Sequence, residues 1–281
     1  MAAPTPSLDD IRAEIDRLDD AIHDLLMRRV EVVRGIGKIK GGAAPKWLPA
    51  REAQLLRRLV ARHHGAMPLG VLVRIWREMI VVGSLALQET VSVAVLSANG
   101  DAACWDLSRD HFGAVVPLQT HPSPGQVVRE VADGSATIGV LPAPADGEAE
   151  PWWPLLVGSD AKAPRVVARL PFAGPGNGRA RKTEALAIAR VPFEPSGDDR
   201  SLLVVAAEPD LSRASMMAAL RKAGVQARWV ALSENDKVPA HLLEVEGFVG
   251  DADPRLAALK SHPRLRDARV IGGYAVPLPK T

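Results

Sequence analysis

LDDIRAEIDRLDDAIHDLLMRRVEVVRGIGKIK, residues 8–40, decides the architecture of the N-terminal part of this chain. Leu8, Ile11, Ile15, Leu18, Ile22, Leu25, Val32, Ile36 and Ile39 recur with heptad spacing and draw one apolar seam along a helix. Arg29 fills the remaining place in that seam. A charge facing a helical core is costly unless it is paired. Arg29 is therefore either half of a structural ion pair or a group that meets a ligand.

Ser7 suits the N-cap of this helix, with Asp9 and Asp10 in the first turn, where the helix dipole favours acids. The pattern stops at Gly41-Gly42, so the helix runs to about Lys40 and is roughly 50 Å long at 1.5 Å per residue. One small domain cannot cover a helix of that length. The seam needs the other helices or a second subunit, and a homodimer is expected. Gly35 and Gly37 weaken the helix and permit a close contact or a bend. Pro49 suits the first position of a second helix, which buries Leu55, Leu56 and Leu59 and ends before Gly65. A third helix starts near Pro68 and carries Leu72, Ile75, Trp76, Met79, Ile80 and Leu87 on its apolar sides.

The rest of the chain has other patterns. Residues 91 to about 190 alternate short apolar strands with helical stretches and are rich in Pro and Gly. Residues 199–281 read as strand–helix–strand–strand–helix–strand. Three domains are expected: 1–90, 91–197 and 198–281. The expected fold class is multidomain α plus α/β. The 281 residues carry a formal charge of +2 with neither a basic arm nor an acidic tail, which speaks against nucleic-acid binding. No apolar run reaches bilayer length and the N-terminus has no signal-peptide core. Cys104 is the only cysteine, which excludes an internal disulfide and a thiolate metal cluster. A cytoplasmic protein that uses no metal or cofactor is expected.

Several polar residues can join Arg29. Lys40 lies eleven positions later, close to three whole turns, so both cations share a helix face roughly 16 Å apart at Cα and can converge on a small anion. Arg12 points about 100° away around the helix and suits a partner subunit's site instead. Arg51 and Glu52 stand in the first turn of the second helix, with Glu52 on the face of Leu55, Leu56 and Leu59. Ser84 and Gln88 are i,i+4 neighbours on the third. Each residue alone reads more readily as a solvated surface group or, for Glu52, as a complement to the helix dipole. As a set they form a cationic pocket with one acid and two neutral hydrogen-bonders, suited to a small dianion bearing a hydroxyl. There is no Ser–His–Asp set, metal-ligand spacing or phosphate loop in this segment.

Residues 8–90 resemble the all-helical class of chorismate mutases, through residues 8–40, PAREAQLLRRL (49–59) and SLALQ (84–88). The resemblance implies an intertwined dimer of three-helix chains and a reaction from chorismate to prephenate without cofactor. It implies that Arg29 and, from the partner, Arg12 bind the substrate carboxylates. Lys40 and Gln88 would hydrogen-bond the ether oxygen, and Glu52 the ring hydroxyl. Arg51 and Ser84 would help hold the carboxylate and the pocket wall. Leu48 stands where that family usually has an acid, which serves if the position acts through its backbone N–H. Gln88 carries N–H donors at every pH, so activity near neutrality should vary little with pH, and Gln88→Glu should work mainly in acid.

Residues 91–190 faintly resemble prephenate dehydratases, through VSVAVL with Gly100, Phe112-Gly113 and GSATIGVLP (134–142). The Thr-Arg-Phe of that family falls on Thr183-Glu184-Ala185, which keeps only the threonine and reverses the charge that follows it. Loss of dehydratase activity is expected. Residues 199–281 resemble an ACT domain, a ferredoxin-like βαββαβ unit, with GGYAVP (272–277) as the end of its last strand. The expected function is a chorismate mutase of phenylalanine and tyrosine biosynthesis. An isochorismate pyruvate-lyase and a ligand-sensing or scaffold protein with a vestigial pocket are the alternatives.

Overall fold

A computed structural model describes residues 6–39, 47–87, 91–158, 163–176, 178–180, 182–234 and 238–279, with the backbone alone at 36–39, 84–87, 99 and 178. The chain divides into two compact units, residues 1–46 with 82–90 and residues 47–81 with 91–281.

The first unit contains α1 (Leu8–Ile39) and the last turns of α3 (Leu69–Leu87). The N-terminus of α1 closes as a reciprocal cap. Ser7 Oγ accepts from the Asp10 amide at 3.2 Å, and Asp10 Oδ2 accepts from the Ser7 amide at 3.0 Å. The Ser7 hydroxyl, which donates to Asp10 Oδ2 at 2.6 Å, and then the Ser7 amide hold the Asp10 carboxyl below its ordinary pKa. The helix continues through Gly35 without a break. Its seam is bare in the single chain: Leu8, Ile11, Ile15, Leu18, Ile22, Leu25 and Val32 are all exposed. Toward its C-terminal end, α1 meets α3 at Gly83, where a Cβ would sit 3.5 Å from Val33 and 3.8 Å from the Arg29 guanidinium.

In the second unit, α2 (Pro49–Ala61) opens with proline at its first position and without a side-chain cap from Leu48. Behind it lies a nine-stranded mixed sheet. Its strands are β1 (Val93–Leu96), β2 (Leu118–His121), β3 (Ile138–Pro142), β4 (Arg165–Leu170), β5 (Ala185–Ala189), β6 (Asp199–Ala207), β7 (Ala227–Ser233), β8 (Ala240–Glu246) and β9 (Leu265–Ala275). The order is β2-β1-β3-β5-β4-β9-β6-β8-β7. The first three strands are parallel and fully or half covered by α4 (Ala103–Phe112) and α5 (Pro124–Asp133). The segment from β6 to β9 includes α6 (Arg213–Lys222) and α7 (Pro254–Lys260), and its strands pair antiparallel in the order β9-β6-β8-β7. Ser212 and Asp253 cap the two helices with side-chain oxygens.

The sheet runs without interruption across residue 198. Its middle joint is β4 on β9, through the parallel pair Val166 and Gly272. Gly272 has φ +115°, and a Cβ there would lie 2.1 Å from the Val166 carbonyl oxygen. Only glycine permits that approach. Trp152, Trp153, Leu186, Ile188 and Leu202 fill one core around this joint. Leu203, Met216, Leu220, Leu243 and Leu259 fill another under α6 and α7.

The α2 helix and the first half of α3 are built into this second unit. Leu56, Val73 and Ile80 pack with Phe172, which follows β4. Arg57 donates to Ser196 Oγ at 2.9 Å, to the Asp198 carbonyl at 2.7 Å and to the Val276 carbonyl at 2.9 Å. Arg74 pairs with Asp110 at 2.6 Å, and Glu78 accepts from the Ala114 amide at 3.1 Å. No helix among the described residues is long and apolar enough to cross a membrane.

Candidate active site

The residues singled out by sequence fall on both units. On the first, Arg29 is half-buried on α1, and burial pulls its guanidinium below its ordinary pKa. The close approach of α3 at Gly83 explains why this arginine loses water while the seam N-terminal to it stays bare. Arg12 is exposed and lies 3.5 Å from Asp9 one turn before it. Ser84 belongs to the helical backbone of α3, next to Gly83. Lys40 and Gln88 lie outside the described residues.

On the second unit, Leu48 precedes α2 and its carbonyl accepts the first helical hydrogen bond from the Glu52 amide at 3.0 Å. Leu48 lines a small hollow with Val167, Phe193 and Ala275, so an apolar side chain fits its surroundings. Arg51 is exposed. Glu52 turns inward as expected and meets Arg77, whose Nη1 donates to Glu52 Oε2 at 3.0 Å. Burial pushes the Glu52 carboxyl up, against the pull of the Arg77 charge and of hydrogen bonds from Trp47 and Arg77. Arg77 lies with its guanidinium 5.1 Å from the centre of the Phe172 ring. The neighbouring His111 is held well below its ordinary pKa, by burial first and by the Arg77 charge second.

Sequence reasoning missed Arg77, although the signal was present. Arg77 stands four residues after Val73 and three before Ile80, in the apolar face of α3, as Arg29 does in α1. Trp47, which sets its ring edge-on to Phe112 at 5.6 Å and helps to lower the Glu52 carboxyl, carried no such signal.

A second polar cluster surrounds the stretch Thr183-Glu184-Ala185. Thr183 and Glu184 line a cavity of about 300 Å³ with Lys182, Gly176 and Leu278. Glu184 pairs with Arg169 of β4. Arg169 also donates to Tyr274 Oη at 2.6 Å and to Glu244 at 3.3 Å. Tyr274 donates in turn to Glu244, which Arg228 reaches at 3.2 Å. Burial would push Glu244 up, but Tyr274, Arg228 and Arg169 outweigh it and hold the carboxyl below its ordinary range. Burial raises the Tyr274 hydroxyl, so it stays a proton donor. The acid that follows Thr183 is thus engaged by an arginine from the sheet. Among the described residues no cluster of His, Cys, Asp or Glu is arranged to hold a metal ion. Cys104 is buried, and burial followed by the Asp101 charge pushes its thiol up to about 12, so it is no ready nucleophile.

Comparison with known proteins gives the helical segment a class. Residues 11–89 match the family described as chorismate mutase type II. The bifunctional chorismate mutase/prephenate dehydratase of Pseudomonas aeruginosa is 29% identical over 138 residues, which are 47% of this chain and 37% of that protein. The protein of the same description from Aquifex aeolicus is 31% identical over 144 residues, 48% of this chain and 38% of its own length. The matched stretch thus spans little more than a third of these curated relatives. Among solved structures, a prephenate dehydratase from Arthrobacter aurescens in complex with L-Phe has a TM-score of 0.49 at 12% identity, over 68% of this chain and 93% of that one. The N-terminal helical segment is a chorismate mutase type II domain, a domain of the isomerase class. About half of this chain is similar to the bifunctional chorismate mutase/prephenate dehydratases.

Proposed function

We propose that this protein rearranges chorismate to prephenate and does not carry the reaction further. The observation that supports the first half best is the match of residues 11–89 to the mutase family, over the segment that holds the cationic set. The rearrangement is unimolecular and needs no nucleophile, general base or cofactor. Arg29 and the partner's copy of Arg12 grip the two carboxylates and trap the folded conformer. Lys40 and Gln88 donate to the ether oxygen as the C–O bond breaks and negative charge grows there, a kind of contact worth about 3 kcal/mol. Glu52 takes the ring hydroxyl. Arg51 and Ser84 complete the pocket, and Leu48 contributes its backbone N–H.

The working species in this reading is a homodimer, supported by the row of exposed leucines and isoleucines along α1. The β6–β9 segment is an ACT-like, ferredoxin-like unit, supported by its element order and its antiparallel strand order. Loss of the dehydratase is supported by Glu184, which brings a carboxylate where the resemblance expects an arginine and binds Arg169 instead. A cytoplasmic location accords with the single, buried free cysteine.

The test is the ultraviolet loss of chorismate with purified protein, followed by assay for phenylpyruvate before and after acid. Phenylpyruvate that forms only after acid is the expected result. Phenylpyruvate without acid overturns the loss of the dehydratase, and no loss of chorismate overturns the mutase.

A further inference from the structure

We infer that Arg77 is a positioning residue of the mutase site: it fixes the Glu52 carboxylate from within the α/β body, so that the body sets the geometry of an acid the reaction uses. The inference rests on the proposed function, because Glu52 matters only if chorismate is the substrate.

Three observations carry it. First, the pair is withdrawn from water. The Arg77 side chain keeps 6% of its exposure and Glu52 12%, so protein groups rather than solvent set where the carboxylate stands. Second, two segments bear on Glu52: Arg77 of α3 donates to its Oε2 at 3.0 Å, and Trp47 ahead of α2 lies beside it and lowers its carboxyl pKa. Each is braced by an aromatic ring of the body: Phe172 against the guanidinium, Phe112 against the indole. The backbone of Phe172 is itself fixed, since its carbonyl accepts from the Leu278 amide at 2.8 Å. Third, stability does not require the arrangement. Apolar side chains of the same volume in place of a buried ion pair are commonly as stable or more so. A buried fork aimed at one carboxylate oxygen instead fixes where that carboxylate stands.

Trp47 ahead of α2, His111 and Phe112 at the end of α4, and Phe172 after β4 stand beside the pair. Arg74 and Asp110, which pair with each other at 2.6 Å, line the same hollow as Arg77 and His111. His111 is neutral there, and Glu52 is the carboxylate that the Arg77 guanidinium meets at 3.0 Å.

The experiment compares Glu52→Gln, Arg77→Lys, Arg77→Met and the double variant Arg77→Met/Glu52→Gln in the full-length chain, with chorismate as substrate. Arg77→Lys keeps the charge and loses the fork; a KM roughly tenfold higher with kcat nearly unchanged is expected, the size of one lost charge-assisted hydrogen bond. Arg77→Met leaves Glu52 without its cation, and kcat/KM should fall as pH drops through neutrality, a dependence that Glu52→Gln lacks. The double variant removes both charges, so it folds even if Arg77→Met does not, and should be no less active than Glu52→Gln, because Arg77 acts only through Glu52. An active parent with parental KM and pH profile in Arg77→Lys overturns the inference and leaves the mutase standing. So does a double variant about tenfold or more below Glu52→Gln. A parent that does not consume chorismate overturns both.

Discussion

Two arginines stand in the apolar faces of two helices, and the fold treats them in opposite ways. Arg77 is buried in the second unit against a carboxylate and an aromatic ring. Arg29 is half-buried in the first, on a helix whose seam is otherwise open along most of its length. The difference separates two uses of a buried cation. Arg77 is satisfied within its own unit and orders what surrounds it. Arg29 sits where α1 meets α3 at Gly83, beside a surface that a single chain does not cover. Removing the first kind of cation strands a buried carboxylate and reaches the chemistry only through it, whereas the second meets the substrate directly in the proposed reading.

The contrast breaks if both arginines respond alike to removal. Arg77→Met leaves the Glu52 charge buried without its partner and should cost about 3–5 kcal/mol, read as a shift in the urea midpoint. Arg29→Ala should leave that midpoint nearly in place and lower kcat/KM for chorismate by about 100–1000-fold, the usual loss of one preorganised donor to developing or bound charge. A large loss of stability in Arg29→Ala would put it in the class of Arg77. The open seam sharpens the contrast further. Leu18→Glu places a charge in the middle of the α1 seam, where Leu18 is 54% exposed in the single chain. The mass in solution should fall from twice the 30.0 kDa of one chain to one, with the urea midpoint of the second unit unchanged. Unchanged mass in light scattering would mean that the seam is not the contact.

Much of this was legible in sequence, and the rest fails for a physical reason. The heptad of α1 and the proline that opens α2 are local signals, and the structure places those elements within a residue or two of expectation. The strand–helix–strand–strand–helix–strand series after residue 198 was equally local. The joint between β4 and β9 was not, because it pairs residues more than a hundred positions apart, and Gly272 announces a close approach without naming Val166. Nor could the sequence say that α2 is clamped to the body by Arg57, whose partners are backbone carbonyls at 198 and 276. Carbonyls leave no mark in a sequence. Arg77 differs, since an arginine between Val73 and Ile80 breaks an apolar face as plainly as Arg29 does, but its partner lies on another helix. Lys40 and Gln88, which carry the proposed chemistry at the ether oxygen, lie outside the described residues.

The smallest expected effect concerns the group that shares the Arg77 site without sharing its charge. His111 is buried, and burial together with the Arg77 guanidinium holds its folded pKa well below the ordinary 6.5. The unfolded chain therefore binds a proton below about pH 6.5 that the folded chain refuses. Stability is fully present above that value and is lost as pH falls toward the folded pKa, at up to about 1.4 kcal/mol per pH unit. His111→Gln removes the titrating group and should flatten this slope between roughly pH 6.5 and 5, read as urea midpoints across the interval. In Arg77→Met/Glu52→Gln the slope should begin at the same pH but level off at a higher one, because one of the two causes that depress His111 is gone while its burial remains. A slope that survives in His111→Gln would assign the acid sensitivity to His241, which burial and the Arg213 charge also hold below its ordinary pKa.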